Sequence, residues 1–322
     1  MPTTPDYRII IPVFNPPPSL LHNLAELEQA TPGALSKVLL IDDASTNGVP
    51  LQAAERFPQL TRVEGDGTLW WCGGMKRGMA LALDAGVDVV CWLNHDCIPA
   101  HGTIERLVGI AAGEGFGAVS AWCRSTEARD YPVNPGFRNL KEIPVEELER
   151  NELVTVDGVN GNCVAINADA IRKVGLPNTD KHPHYGDGPY AYRLHKAGFR
   201  NAVCTPARAW LEREYDRCID IKWRCSFWNE SLANKLRYYF LSRKSKFHWS
   251  IKYHDIVEFR GYPAAPFAYA LSMGKTFCEI VSGHRMGKSV PRENRLDAVC
   301  RQYEGRYPKQ GLIDSLTRLE NA

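Results

Sequence analysis

Short apolar runs alternate with stretches of helical spacing through the first hundred residues, and two of these runs stop abruptly on acids. Val38-Leu39-Leu40-Ile41 ends at Asp42-Asp43, and Val89-Val90-Cys91-Trp92-Leu93 ends at Asn94-His95-Asp96. Runs this short and this apolar read as strands buried on both faces, as parallel sheets require. Arg8 to Val13 and Leu60 to Val63 read as two more strands. Between them, Leu20, Leu21, Leu24 and Leu27 recur at helical spacing behind Ser19 as N-cap, and Leu51 to Phe57 and Gly73 to Asp84 read as further helices. A β-α-β-α-β-α-β alternation predicts a mostly parallel sheet covered by helices on both faces. Such sheets hold ligands at the carboxyl ends of their strands, so two acid-terminated strands point to one acid-lined crevice.

The alternation then loosens. Thr103 to Ala112, Ala168 to Val174 and Pro189 to Ala197 read as helices. Phe116 to Cys123 reads as a strand, Val154 to Ile166 as a strand pair broken at Gly158 and Gly161, and Ala202 to Thr205 as a short strand. Arg124 to Asn151 is loop-rich. From Trp223 onward Leu232, Leu236, Tyr239 and Phe240 keep helical spacing beside Lys235, Arg237, Arg243, Lys244 and Lys246. The expected division is an α/β domain over 1–222 and a helical extension over 223–322. A net charge of +2 gives no nucleic-acid signal. Ten cysteines without a C-x-x-C pair, no secretory leader and no apolar run long enough to span a bilayer lead to the expectation of a cytoplasmic protein. The basic helical segment from Lys235 to Lys252 reads either as a solvated face or as a peripheral contact with an anionic membrane.

Four segments carry chemistry. Asp42 and Asp43, at a strand end, suit hydrogen bonds from a base or ribose, and equally a turn cap shared with Ser45. The segment Gly65 to Gly78 sets glycines ahead of a helix, where backbone N–H groups approach a phosphate and Lys76 and Arg77 add charge; a glycine-rich turn with packed Trp70 and Trp71 is the other reading. It does not follow the first strand, so it is not a dinucleotide fingerprint. Asp96 offers a hard oxygen to a divalent cation, while Asn94 offers only a neutral carbonyl. Asp187, in His184-Tyr185-Gly186-Asp187, suits a general base or a helix cap.

Taken with Ile10-Ile11-Pro12-Val13-Phe14-Asn15, these segments resemble glycosyltransferase family 2, inverting nucleotide-sugar transferases of the GT-A fold, over roughly residues 8 to 250. The glycine segment is similar to that of rhamnosyltransferase-like members. The resemblance implies a Rossmann-like, mixed but mostly parallel sheet flanked by helices. It implies a nucleotide-sugar pocket built from Pro12, Phe14, Asn15, Asp42, Asp43, Asp66, Trp71, Gly73, Gly74, Lys76 and Asn94. It places Mg²⁺ or Mn²⁺ on Asp96, with Glu212 or Glu214 standing where relatives carry a histidine, and the base at Asp187. Trp70, Asn162 and His184 fall on the acceptor side, toward a glycan or lipid-linked acceptor of cell-surface polysaccharide synthesis. The donor implied is a dTDP- or UDP-sugar. A sugar-phosphate nucleotidyltransferase is the rival enzyme, but Val13 to Pro18 lacks its basic phosphate loop. A catalytically inactive glycan- or nucleotide-binding homologue is the non-enzymatic rival.

Overall fold

In strand β1 (Tyr7–Val13), Ile9, Ile11 and Val13 enter one core and Ile10 enters another. Strand β4 (Val89–Leu93) repeats the split, with Val89, Cys91 and Leu93 on one side and Val90 and Trp92 on the other. A sheet apolar on both faces needs helices on both. One face is covered by α1 (Ser19–Ala30) and α2 (Val49–Arg56), together with α4 (Thr103–Ala111), through Leu20, Leu24, Leu27, Ala53, Ile104 and Leu107. The other is covered by α3 (Trp70–Asp84), α6 (Ala168–Val174) and α7 (Asp187–Lys196), through Met75, Met79, Ile171 and Leu194. Each such side chain withdrawn from water contributes about 1.5–3 kcal/mol.

The structure is a computed structural model that describes residues 5–125, 132–133, 135–211, 219–304 and 309–321. The described residues form two units, one through Leu211 and one beginning at Ile219. In the first, β2 (Val38–Asp42) and β3 (Thr61–Glu64) extend β1 on one side in parallel, and β4 joins it in parallel on the other. Next to β4 lies β11 (Cys163–Asn167), which is antiparallel, followed by β6 (Phe116–Ser125), β12 (Arg200–Leu211) and β10 (Leu153–Val156). Short β5 (Cys97–Pro99) and β7 (Pro132–Val133) pair with β12 and β6. The strand order reverses at β1, so the crevice opens where β1, β2 and β4 end. Because β11 runs the opposite way, it begins at that same edge, with Cys163 opposite Leu93.

Several expectations from sequence are corrected. Ser19 is the first residue of α1, preceded by Pro18, and makes no capping bond. The residues expected as a strand pair from Val154 to Ile166 form β10 and β11, which bond to different neighbours and not to each other. Instead of a short strand at Ala202 to Thr205, β12 runs twelve residues. Its pairing with β6 jumps from Cys204↔Ala121 to Arg208↔Trp122, leaving Thr205, Pro206 and Ala207 as a bulge that masks the alternation. The loop-rich span contains the hairpin β8 (Phe137–Arg138) and β9 (Lys141–Glu142) and helix α5 (Val145–Arg150).

Two glycines set how closely α3 lies on β1. A Cβ at Gly74 would stand 2.8 Å from the Pro12 Cβ, and one at Gly78 would overlap the Ile10 side chain. Gly78→Ala should therefore cost about 1–3 kcal/mol by overpacking, read as a lower denaturation midpoint at unchanged slope. Gly109→Ala in α4 is the control, since nothing lies within 4 Å of its added methyl. That variant should be neutral or slightly stabilising.

The second unit is helical: α8 (Ile221–Phe227), α9 (Leu232–Leu241), α10 (Trp249–Arg260), α11 (Ala265–Ser289), α12 (Arg292–Gln302) and α13 (Lys309–Glu320). Phe227, Val299, Leu312 and Leu316 make one core, and Cys225, Tyr239 and Ile280 another. Two cations are buried among them. The Lys235 ammonium donates to the Cys225 carbonyl at 2.8 Å, and burial holds its pKa below the usual lysine value. The Arg295 guanidinium donates to the Ser226 and Val290 carbonyls.

Candidate active site

The carboxyl ends of β1, β2 and β4 carry the segments singled out in the sequence. At the end of β2, Asp42 is fully buried: its Oδ1 accepts the Ser45 N–H at 3.0 Å, and its Oδ2 accepts Arg62 Nη2 at 2.6 Å and Nε at 2.9 Å. The Asp42 carboxylate therefore ties β2 to β3 and to the following turn, with room for one further donor. Arg62, on β3, escaped the sequence reading; the alternation of a half-exposed strand is its only signal there.

Asp43 is also buried and faces the loop that follows β3. Its Oδ1 accepts the N–H groups of Gly67 at 2.8 Å and Leu69 at 3.2 Å, and its Oδ2 that of Trp70 at 2.9 Å. One carboxylate thus closes the loop and caps the start of α3, where the helix dipole favours an anion. The helix begins at Trp70, not at Gly73, which corrects the reading of Gly73 and Gly74 as a phosphate-cradling helix start. Gly73 donates within the helix to Leu69 O at 2.9 Å, and both glycines are buried. They serve close packing. Asp66 forms a local turn, accepting the Thr68 N–H at 2.8 Å and hydroxyl at 2.7 Å, which lowers its pKa. Lys76 lies exposed farther along α3.

Three non-glycine residues at this rim adopt left-handed backbone: Asn15 at φ 46°, Ala44 at φ 58° and Trp70 at φ 59°. Such conformations cost about 1–3 kcal/mol each and persist only where neighbours hold them. Asn15 Oδ1 accepts the Thr46 N–H at 2.8 Å, and its own N–H donates to Ser45 Oγ at 2.9 Å, so it ties the β1 loop to the β2 loop. Trp70 is held by Asp43 and by His184, whose ring centroid lies 4.3 Å away edge-on. Beside Asn15, Phe14 is 60% exposed, an aromatic face left open at the end of β1. Pro12, by contrast, is buried against Gly74.

The second half of the site hangs on Asn94. Its Oδ1 accepts the Trp71 indole N–H at 2.8 Å, and its Nδ2 donates to Asn162 Oδ1 at 2.9 Å. The Asn94 N–H also donates to the Asn162 carbonyl at 2.9 Å. Next in the chain, the Gly161 N–H donates to Asp187 Oδ2 at 2.7 Å. A Cβ at Gly161 would stand 2.7 Å from the Trp71 ring and 3.0 Å from the Asp187 Cβ, so only glycine lets these two meet across it. Sequence reading took Gly161 for a turn irregularity; its close approach has no local signal. The segment before α7 is fastened to α3 by the Cys72 N–H donating to Pro183 O at 3.1 Å. Burial, and then the Asp187 charge, push the Cys72 thiol up to about 12, so it stays neutral beside that carboxylate.

Asp96 stands apart from this network. β4 ends at Leu93, and 94–96 form a turn in which the His95 carbonyl accepts Asn23 Nδ2 at 2.8 Å. The Asp96 Oδ1 is buried with no hydrogen-bond partner among the described residues. A buried, unmatched carboxylate oxygen is costly on its own and suits a hard cation. No group of three or more His, Cys, Asp or Glu among the described residues is arranged to hold a metal, so any ion here would take further oxygens from a ligand or water. Glu212 and Glu214 lie outside the described residues.

Crevice position, acid-bearing strand ends and a carboxylate at a helix start now stand together in one unit. A family model described as glycosyl transferase family 2 matches residues 8–220. The chain belongs to glycosyl transferase family 2. Among curated relatives of this family-2 chain is an N-acetylglucosaminyl-diphospho-decaprenol L-rhamnosyltransferase from Mycobacterium tuberculosis, 26% identical over 230 residues, covering 62% of this chain and 73% of the relative. Its fold is GT-A. A mannosyltransferase from Pyrobaculum calidifontis, solved in complex with GDP-Man and Mn²⁺, superposes with a TM-score of 0.56 at 17% identity, covering 99% of this chain and 88% of that one. GalNAc-T7, solved with UDP, GalNAc and Mn²⁺, gives 0.52 at 12% identity, covering 96% of this chain and 59% of the other. At these identities the solved structures speak to the fold alone.

Proposed function

We propose that this family-2 protein is an inverting glycosyltransferase that moves one sugar from a nucleotide diphosphate donor to a hydroxyl of a glycan or lipid-linked acceptor, in cell-surface polysaccharide synthesis. The observation that carries the reading is the bridge Trp71–Asn94–Asn162 with Gly161–Asp187 beside it. It joins the strand ends where a donor would lie to the one carboxylate suited to act as base. The catalytic part would be 1–222 and the extension 223–322.

In this reading Asp187 takes the proton of the acceptor hydroxyl as its oxygen attacks the sugar C1. The new C1–O bond forms opposite the bond to the diphosphate, which breaks and leaves as nucleoside diphosphate, so the anomeric centre inverts. Asp96 would hold Mg²⁺ or Mn²⁺, which when bound supplies positive charge to the departing diphosphate. Lys76 adds charge from α3. Phe14 offers a stacking face to the base, with Asp43 and Asp66 along the nucleoside edge and Asn15 holding the loop. Trp70 and His184 wall the acceptor side together with Asn162. The rhamnosyltransferase named among the relatives supports rhamnose as the sugar and a diphospho-lipid as the acceptor; the dTDP- or UDP-sugar donor rests on the resemblance of the glycine segment.

A thermal-shift series with dTDP, UDP and GDP, each with and without Mn²⁺, tests donor class and metal together. A ligand at a hundred times its Kd should add about 2.7 kcal/mol of stability. If none of the three raises the melting temperature at millimolar concentration, the nucleotide-sugar reading fails. Sugar phosphate with nucleoside triphosphate should release no pyrophosphate, the product expected of the nucleotidyltransferase rival.

Asn94→Asp should fold, because the Asn162 amide can turn its Nδ2 toward the new carboxylate while Trp71 keeps its acceptor. The added charge should lower the Mn²⁺ concentration for half-maximal activity several-fold, on the order of one charge–charge interaction at the protein surface. An unchanged Mn²⁺ dependence would place the ion elsewhere.

A further inference from the structure

The helical unit exposes an apolar stripe that its own cores leave uncovered. Along α11 the buried positions are Ala265, Thr276, Ile280 and Gly283. At 3.6 residues per turn these share one face, and Phe267, Leu271, Gly274 and Cys278 line up on the opposite one. Phe267 is 72% exposed and Leu271 59%. No charged residue occurs from Ala265 to Gly274. Tyr262, in the turn leading into α11, is 71% exposed. Grouped exposed aromatics of this size mark a contact surface rather than ordinary scatter.

Charge segregates to the same stretch. Beyond the buried Lys235, residues 236–288 hold nine Lys and Arg against three Asp and Glu, a net +6, while the whole chain carries +2. The remainder is therefore −4. Arg285 continues the α11 stripe seven residues beyond Cys278, and with Lys288 it is exposed. A second copy of this chain would bring an equally basic surface and be repelled. An anionic lipid surface is attracted by the cations and accepts Phe, Leu and Tyr at the headgroup level. Among the described residues no helix is long and apolar enough to cross a membrane, which suits an element lying in the interface.

We propose that the first half of α11 and the turn before it dock in the headgroup region of an anionic bilayer, with the basic residues of α9 to α11 supplying the attraction. The inference rests on the helical unit alone and does not depend on the transfer chemistry. Full-length protein is sedimented with phosphatidylcholine vesicles, with and without phosphatidylglycerol, in the absence of donor. Binding should require phosphatidylglycerol and weaken at least about tenfold when salt shortens the screening length. Phe267→Glu/Leu271→Glu should lower it about tenfold or more while leaving the circular dichroism and the nucleotide thermal shift unchanged. Lys275→Gln/Arg285→Gln, which leaves the apolar stripe intact, should weaken it in the same direction. Absent binding, equal binding to neutral vesicles, or full binding by the double glutamate variant would overturn the proposal. So would light scattering that shows a wild-type dimer and a monomeric double glutamate variant, since the stripe would then be a self-interface.

Discussion

Asp187→Asn should yield a folded, donor-binding protein whose transfer rate falls by about 10²–10⁴, the usual worth of a positioned general base. The substitution is isosteric, and the amide oxygen can still accept the Gly161 N–H that Oδ2 accepts at 2.7 Å. What the amide cannot do is take a proton. The expected signature is a collapse of kcat with the donor KM nearly unchanged, because the affected group acts in the transition state and not in binding. Donor hydrolysis without acceptor should fall too if Asp187 also activates water. Wild-type turnover in the variant would show that the proton goes elsewhere.

Asp43→Ala should be the costliest substitution for stability at the site. It strips the acceptor from three backbone N–H groups, those of Gly67, Leu69 and Trp70. Loss of a helix cap costs about 1–2 kcal/mol, and each buried donor left unmatched about 1–3 kcal/mol. Gly67 is exposed and can turn to water, so a net loss of about 3 kcal/mol is expected, or roughly 6–12 °C in Tm for a domain of this size. Asp43→Asn should lie between, since its amide keeps one acceptor oxygen. The same experiment separates two roles. A variant that melts as wild type but loses nucleotide binding would make Asp43 a ligand and not a cap. The expected pattern is that both fall together, because Trp70 sits in left-handed backbone that relaxes once Asp43 lets go.

The sheet was legible because its central strands, β1, β2 and β4, are buried on both faces and their apolar runs need no partner to be recognised. Ends were harder. α3 starts three residues before the glycines because an acid twenty-seven positions upstream, Asp43, caps it; no local rule contains that bond. β12 hid behind Pro206 and its bulge. At the site, sequence reasoning assigned atoms by residue type. Spacing did not show that the Asn94 carbonyl accepts the Trp71 indole N–H, nor that Asp42 accepts Arg62. Asp96, read from sequence as a hard-oxygen donor to a cation, has a buried Oδ1 with no partner among the described residues. Pairings between distant segments decide such outcomes, and one-dimensional spacing carries none of them.

The antiparallel entry of β11 separates the site by chain history as well as by space. The residues proposed for the donor side all come from before position 97, and the segments opposite, 161–162 and 182–187, come after six further strands, β5 to β10. Besides the β4–β11 ladder, the two are joined by Asn94 with Asn162, Cys72 with Pro183, Trp71 against Gly161 and Trp70 against His184. On the proposed reading, exchanging the segment that carries Gly161, Asn162 and Asp187 as a block would leave every proposed donor-side residue in place, provided those joints are kept. Recombined chains that keep a glycine at 161 and asparagines at 94 and 162 should inherit the donor preference of one parent and the acceptor preference of the other.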